Sequence, residues 1–148
     1  MTPPSPREVF HRLVDGVSEG DAASLPALYA EHTDVRHPMY PGGIAPLTTR
    51  DELARHFGVG VERIAPVVRF RAEDITVHET TDPEVIVAEF EYRGTTLHTG
   101  EPFAVPCVFV MRIRDGLIVE SRDYIDHVAF AQARDTLDDL IARLRPPS

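Results

Sequence analysis

Arg114-Asp115-Gly116-Leu117-Ile118-Val119-Glu120-Ser121-Arg122-Asp123-Tyr124-Ile125-Asp126 is the stretch on which the reading of this 148-residue chain turns. Asp115-Gly116 has the form of a tight hairpin turn, and the residues after it alternate as a strand does. Counting every second side chain places Leu117, Val119, Ser121, Asp123 and Ile125 on one face, with Ile118, Glu120, Arg122 and Tyr124 on the other. Asp123 then shares its face with Val119 and Ile125. An acid among apolar neighbours is either hydrogen-bonded and structural or held there for proton transfer, because burial without a partner is costly or raises its pKa.

Upstream of that segment the chain reads as strands at about 67–78, 84–94 and 102–114, followed by 117–126, with turns at Asp82-Pro83, Thr99-Gly100 and Asp115-Gly116. Before them the periodicity is helical. Ser5-Pro6-Arg7-Glu8 is a capping box with proline at the first helical position, leading Val9, Phe10, Leu13, Val14 and Val17. Gly20 breaks this helix, and Asp21 is expected to cap a second, short one carrying Leu25, Leu28 and Tyr29. Thr33 to His37 reads as a short strand and Pro38 to Gly43 as a loop. Thr49-Arg50-Asp51-Glu52 opens a third helix with Leu53, His56, Phe57 and Val61 on one side, weakened by Gly58 and Gly60. A last helix is expected over Val128 to Leu144.

Helices first, then an antiparallel meander and a closing helix, make an α+β domain, expected to be a single unit over residues 1–148. A hydrophobic content of 43% is enough for a real core at this length. The formal charge of −9, with every basic residue an arginine and none clustered, argues against nucleic acid or an anionic membrane as partner and favours a small hydrophobic metabolite. Cys107 is the sole cysteine, so no internal disulfide forms, and no zinc-type spacing occurs. No signal-peptide pattern or long apolar run is present, which gives a cytoplasmic protein as the expectation. Gly58-Val59-Gly60 lacks the strand and third glycine of a dinucleotide fingerprint, so neither a cofactor nor a metal is expected.

The chain resembles the SnoaL-like branch of the nuclear transport factor 2 superfamily, which includes polyketide cyclases, ketosteroid isomerase, limonene epoxide hydrolase and the phenazine biosynthesis A/B proteins. The resemblance rests on element order, on Leu28-Tyr29-Ala30-Glu31-His32-Thr33, on Arg50-Asp51-Glu52-Leu53, and on Gly116 with Arg122-Asp123-Tyr124-Ile125-Asp126. It implies a cone-shaped fold, a curved and mostly antiparallel sheet around the N-terminal helices, and a homodimer through the outer sheet face. In limonene epoxide hydrolase the aspartate at the position of Asp123 belongs to an Asp-Arg-Asp set; Phe90 and Tyr92 stand here where that enzyme has its arginine and second aspartate. In the phenazine A/B proteins a glutamate takes the place of Asp123 and a histidine that of His56, while their serine one turn further corresponds to Gly60.

Asp123 is the first candidate for a general acid or base, against the plainer reading that an arginine or the backbone pairs it. His56 shares a helix face with Leu53 and Phe57 and suits proton transfer, though a lone histidine is often a satisfied core residue. His37 is in phase with Val35, and Tyr92 with Phe90, Ala88 and Ile86 on the apolar face of its strand. His37, Tyr40, Phe57, Phe90 and Tyr92 are the expected substrate-binding set, with Tyr40 capping the mouth from its loop. Cys107 reads as a buried inert thiol. The function expected is a cofactor-free acid/base enzyme of isomerase, cyclase or dehydratase type; the alternatives are an epoxide-type hydrolase and a non-catalytic ligand-binding protein of the same fold.

Overall fold

A computed structural model describes residues 2–147. Its first helix, α1 (Pro6–Glu19), starts where Ser5 Oγ accepts the Glu8 backbone N–H at 3.2 Å, and ends at Gly20, whose φ of 69° only glycine adopts readily. Val9, Phe10, Leu13 and Val14 form its buried stripe. The second helix expected from Asp21 is a single 3₁₀ turn, Leu25–Leu28. Pro26 supplies no N–H to extend it, and Tyr29 instead opens the strand β1 (Tyr29–Arg36). Asp21 still accepts the Ser24 N–H, as a turn rather than a helix cap. His37 lies just beyond the strand it was expected to end.

A three-residue strand, β2 (Leu47–Thr49), was not foreseen and pairs antiparallel with β1. It runs straight into α2 (Arg50–Ile64), where Thr49 Oγ1 accepts the Glu52 N–H at 3.2 Å. The meander follows as β3 (Val68–Glu79), β4 (Val85–Thr96), β5 (Pro102–Arg114) and β6 (Leu117–Ile125). The expected last helix is two, α3 (His127–Ala133) and α4 (Leu137–Leu144), separated at Asp135, which takes a φ of 56°. Three consecutive residues, Arg134-Asp135-Thr136, thus interrupt a pattern whose apolar period alone looked continuous.

The six strands lie in the order β2-β1-β6-β5-β4-β3, antiparallel throughout except that β1 runs parallel to β6. The sheet is mixed and open, an α+β nuclear transport factor 2-like arrangement with four helices among the described residues. Two bulges bend it. One lies in β3 between Glu73 and Thr76, where Asp74 has a φ of 53°. The other lies in β6, where Arg112 faces Glu120 but Ile113 faces Ile118, so that Val119 is one residue extra. It corrects the face count made from the sequence. Ile118, Ser121 and Asp123 are the buried positions, and Val119 is not on the face of Asp123.

Inward from the sheet, Ile86, Ala88, Phe90 and Tyr92 of β4 meet Val105, Cys107, Phe109, Met111 and Ile113 of β5, and α1 packs across them. The outer face carries charge, and its ions pair within the chain: Arg93 with Glu91, Asp74 and Glu73, and Arg112 with Asp82, Glu84 and Glu120. Among the described residues no helix is long and apolar enough to cross a membrane.

Gly94 of β4 pairs with Phe70 so closely that a Cβ there would fall inside the van der Waals shell of the Arg69 carbonyl oxygen. Gly58, in α2, has nothing within 4 Å of the corresponding position. Gly94→Ala is expected to destabilise the fold by about 3 kcal/mol, whereas Gly58→Ala stabilises it by about 1 kcal/mol; urea unfolding midpoints of the two variants measure both.

Candidate active site

The parallel register Val35↔Ser121 and Arg36↔Arg122 carries the chain leaving β1 alongside Asp123, which is why His37 arrives there. His37 Nε2 lies 3.7 Å from Asp123 Oδ2, and the two side chains are each only 9% exposed. Ser121, two residues back on the same strand face, donates its hydroxyl to Asp123 Oδ1. That leaves Oδ2 as the oxygen turned toward His37. From the other side, α2 brings His56 to a ring-centroid distance of 5.3 Å from His37, and Phe57 to 6.0 Å from Tyr29. His56 is the more open of the two histidines.

These groups border a cavity of about 620 Å³, lined among others by Tyr29, His37, His56, Phe57, Tyr92 and Asp123. Four of the expected site residues besides Asp123 therefore meet around one space. Two others do not. Phe90 lies in an aromatic cluster with Phe10, Phe109 and Tyr92, at centroid distances of 5.4, 5.0 and 5.1 Å, because α1 covers that stretch of β4. Tyr40 packs edge-on against His127 at 5.0 Å and is off the cavity wall; Gly42 and Gly43, both at positive φ, turn its loop toward Leu144 of α4.

Burial decides the charge states. Desolvation pushes Asp123 up to about 7, and the Ser121 hydrogen bond offsets only part of that. His37 is pushed down to about 4, first by burial and then by the neighbouring His56 and His127. Burial also lowers His56. The approach of His37 to Asp123 is therefore not an ion pair at neutral pH, and no arginine contributes to the carboxyl's environment. Among the described residues no guanidinium pairs Asp123, and its hydrogen-bond partner is the Ser121 hydroxyl. Tyr29 and Tyr92 are raised well above the usual phenol range by burial, Asp123 adding to both, so each keeps its proton as a potential donor. Cys107, buried and pushed up to about 12, is an inert thiol.

Tyr29 and Ser121 were missed as site residues. Starting β1 at Tyr29 would have put it in phase with Val35 and His37, and Ser121 already stood on the face of Asp123 without a role. Among the described residues no three His, Cys, Asp or Glu side chains are arranged to hold a metal ion.

The family model of the SnoaL-like domain matches residues 10–121. The chain belongs to that family. Among its relatives, an uncharacterised PhzA/B-like protein of Pseudomonas aeruginosa is 27% identical over 119 residues, 80% of this chain and 82% of that one. The uncharacterised YesE of Bacillus subtilis aligns over 58 residues at 34% identity, so that the match spans 39% of this SnoaL-like chain and 40% of that relative. In architecture it is similar to a provisionally named isomerase of Bacillus subtilis, with a TM-score of 0.74 and 22% identity over 88% of this chain and 92% of the other. A provisionally named polyketide cyclase of Pseudomonas putida gives a TM-score of 0.66 and 19% identity over 88% and 98%. At these identities the two superpositions show the SnoaL-like fold.

The raised carboxyl has a signature in stability. Asp123 binds its proton more tightly folded than unfolded, so its contribution is fully present below about pH 4 and is lost as pH rises through about 7. His37 acts oppositely, since it must stay neutral: its contribution grows from about pH 4 to about 6.5. Asp123→Asn is expected to match the wild type near pH 4 and to exceed it by something on the order of 3 kcal/mol above pH 7, read by denaturant unfolding across that range.

Proposed function

We propose that this chain is a cofactor-free acid/base enzyme of the isomerase, cyclase or dehydratase type, acting on a small, largely apolar metabolite bound in the cavity. One observation carries the reading: a single desolvated carboxyl, without a cation and titrating near neutrality, lines an apolar space large enough for a small ring system. Membership of the SnoaL-like family and the isomerase and cyclase names among its structural neighbours agree with it.

In this mechanism Asp123 Oδ2 takes the proton from a carbon next to a substrate carbonyl, and the C–H electron pair moves onto the carbonyl oxygen as an enolate. The phenols of Tyr29 and Tyr92 and the neutral imidazoles of His37 and His56 are the donors available to that oxygen. Because they are fixed by the fold, they need little rearrangement as charge develops. Asp123 then returns the proton to a different carbon in an isomerisation. In a ring closure, the enolate carbon bonds to a second carbonyl, whose oxygen receives the proton; in a dehydration, a β-hydroxyl leaves with it as water. Ser121 positions the carboxyl by holding Oδ1 and leaving Oδ2 free.

The test is α-proton exchange into deuterated water, followed by NMR on a panel of cyclic enones and diketones. Exchange by the wild type should rise with pH through about 7 as Asp123 ionises, and Asp123→Asn should lose it by about 10²- to 10⁴-fold while staying folded. Equal exchange in the variant removes the mechanism.

A further inference from the structure

The inward face of α2 has one position without a side chain. Leu53, wholly buried, marks that face, and at about 3.6 residues per turn Phe57, Gly60 and Ile64 fall in line with it. All four line the cavity. A Cβ placed on Gly60 would meet no atom within 4 Å, so the direction in which a side chain would point there is open, and the cavity is what it opens on. Gly58 is the contrast. It too has nothing within 4 Å, but it is turned away from the Leu53 face and forms no part of the cavity wall.

A bare Gly60 is unfavourable to stability on two counts. Glycine weakens a helix interior relative to alanine, and an apolar side chain at this place would bury surface against the cavity wall. The position along the helix matters as much as the space. One turn earlier, His56 lies beside His37, which in turn approaches Asp123. Gly60 therefore stands about 6 Å along the axis from the last polar side chain that α2 gives to the cavity. Past it the helix contributes Val61 and Ile64, while Glu62 and Arg63 are exposed and do not border the space. The wall supplied by α2 is thus polar at the turn of His56 and apolar from Gly60 onward.

We propose that Gly60 is the specificity-determining residue of this pocket: an apolar arm of the ligand takes the volume that the missing side chain leaves, so that the chain selects carbonyl compounds whose arm extends a helical turn past the reacting carbon over short ones. Each methylene of such an arm leaves water on entering the space and adds to affinity, whereas a side chain at position 60 would occupy the same volume. The inference deepens the functional reading above and rests on the cavity being the ligand pocket; it does not depend on Asp123 being the base.

Titration of 2-pentanone, 2-heptanone and 2-nonanone into the wild type, Gly60→Ala, Gly60→Leu and Gly58→Leu, followed by amide NMR shifts, tests it. In the wild type each added methylene is expected to tighten binding about three- to fourfold. Gly60→Leu should remove most of that gain, because the arm is left in water, and Gly60→Ala should fall between the two. Gly58→Leu should keep the wild-type series. Both Gly60 variants should also unfold at higher urea than the wild type, since the helix is strengthened and open space is filled; Gly60→Ala carries the binding test where leucine fails to fold. A series unchanged by the Gly60 substitutions, one flattened equally by Gly58→Leu, or no binding of any ketone to the wild type overturns the proposal. Deuterium exchange in Asp123→Asn is read separately, so a Gly60-dependent series without Asp123-dependent exchange removes only the proposed chemistry.

Discussion

Because β1 runs parallel to β6, in register from Val35 and Ser121 to Arg36 and Arg122, the chain leaving β1 is delivered next to the inward face of β6. That pairing sets one end of the cavity. It places Tyr29 at the start of β1 and His37, just past its end, along the same cavity, and the chain then returns through β2 directly into α2. With no residue between β2 and α2, the helix starts at the sheet edge and presents His56 and Phe57 to the space. α1 covers the remaining part of the sheet with Phe10 and Leu13, and the space left between the two helices is the cavity.

The energetic consequence is a site that works against stability. Burying Asp123 without a cation is unfavourable once it ionises, and keeping His37 neutral is unfavourable once the solution turns acid. Neither residue improves packing over an apolar side chain of similar size. The cost is offset by the aromatic and aliphatic core that β4 and β5 share with α1, which reaches the carboxyl itself, since Phe109 is the cross-strand partner of Asp123. A carboxyl held against that core by a single hydroxyl, with no cation beside it, keeps a raised pKa, whereas an ion pair would fix its charge.

The long elements were legible in the sequence because local signals agreed with tertiary demand. Ser5 and Thr49 cap their helices as the capping boxes indicated, and the four meander strands fall within a few residues of their expected limits. Asp123, His37, His56, Phe57 and Tyr92 reach the cavity. What stayed hidden depended on distant partners. β2 is three residues whose strand character exists only through β1; Tyr29 looked helical because the β6 edge that draws it into a strand is some ninety residues away. Phe90 was indistinguishable from Tyr92 by phase, since nothing in β4 alone tells which part of its apolar face α1 will cover.

Val119 shows how little sequence separates this arrangement from a blank one. As the extra residue of β6 it lets Ile118 on one side and Ser121 and Asp123 on the other all turn inward, which a regular strand of period two forbids. Removing that one residue would restore strict alternation, and either the hairpin's apolar contact or the Ser121–Asp123 couple would have to face solvent. Loss or gain of a single codon at this place, more than any nearby substitution, is thus the step by which descendants of such a scaffold would switch between a hollow that holds a carboxyl and one that does not.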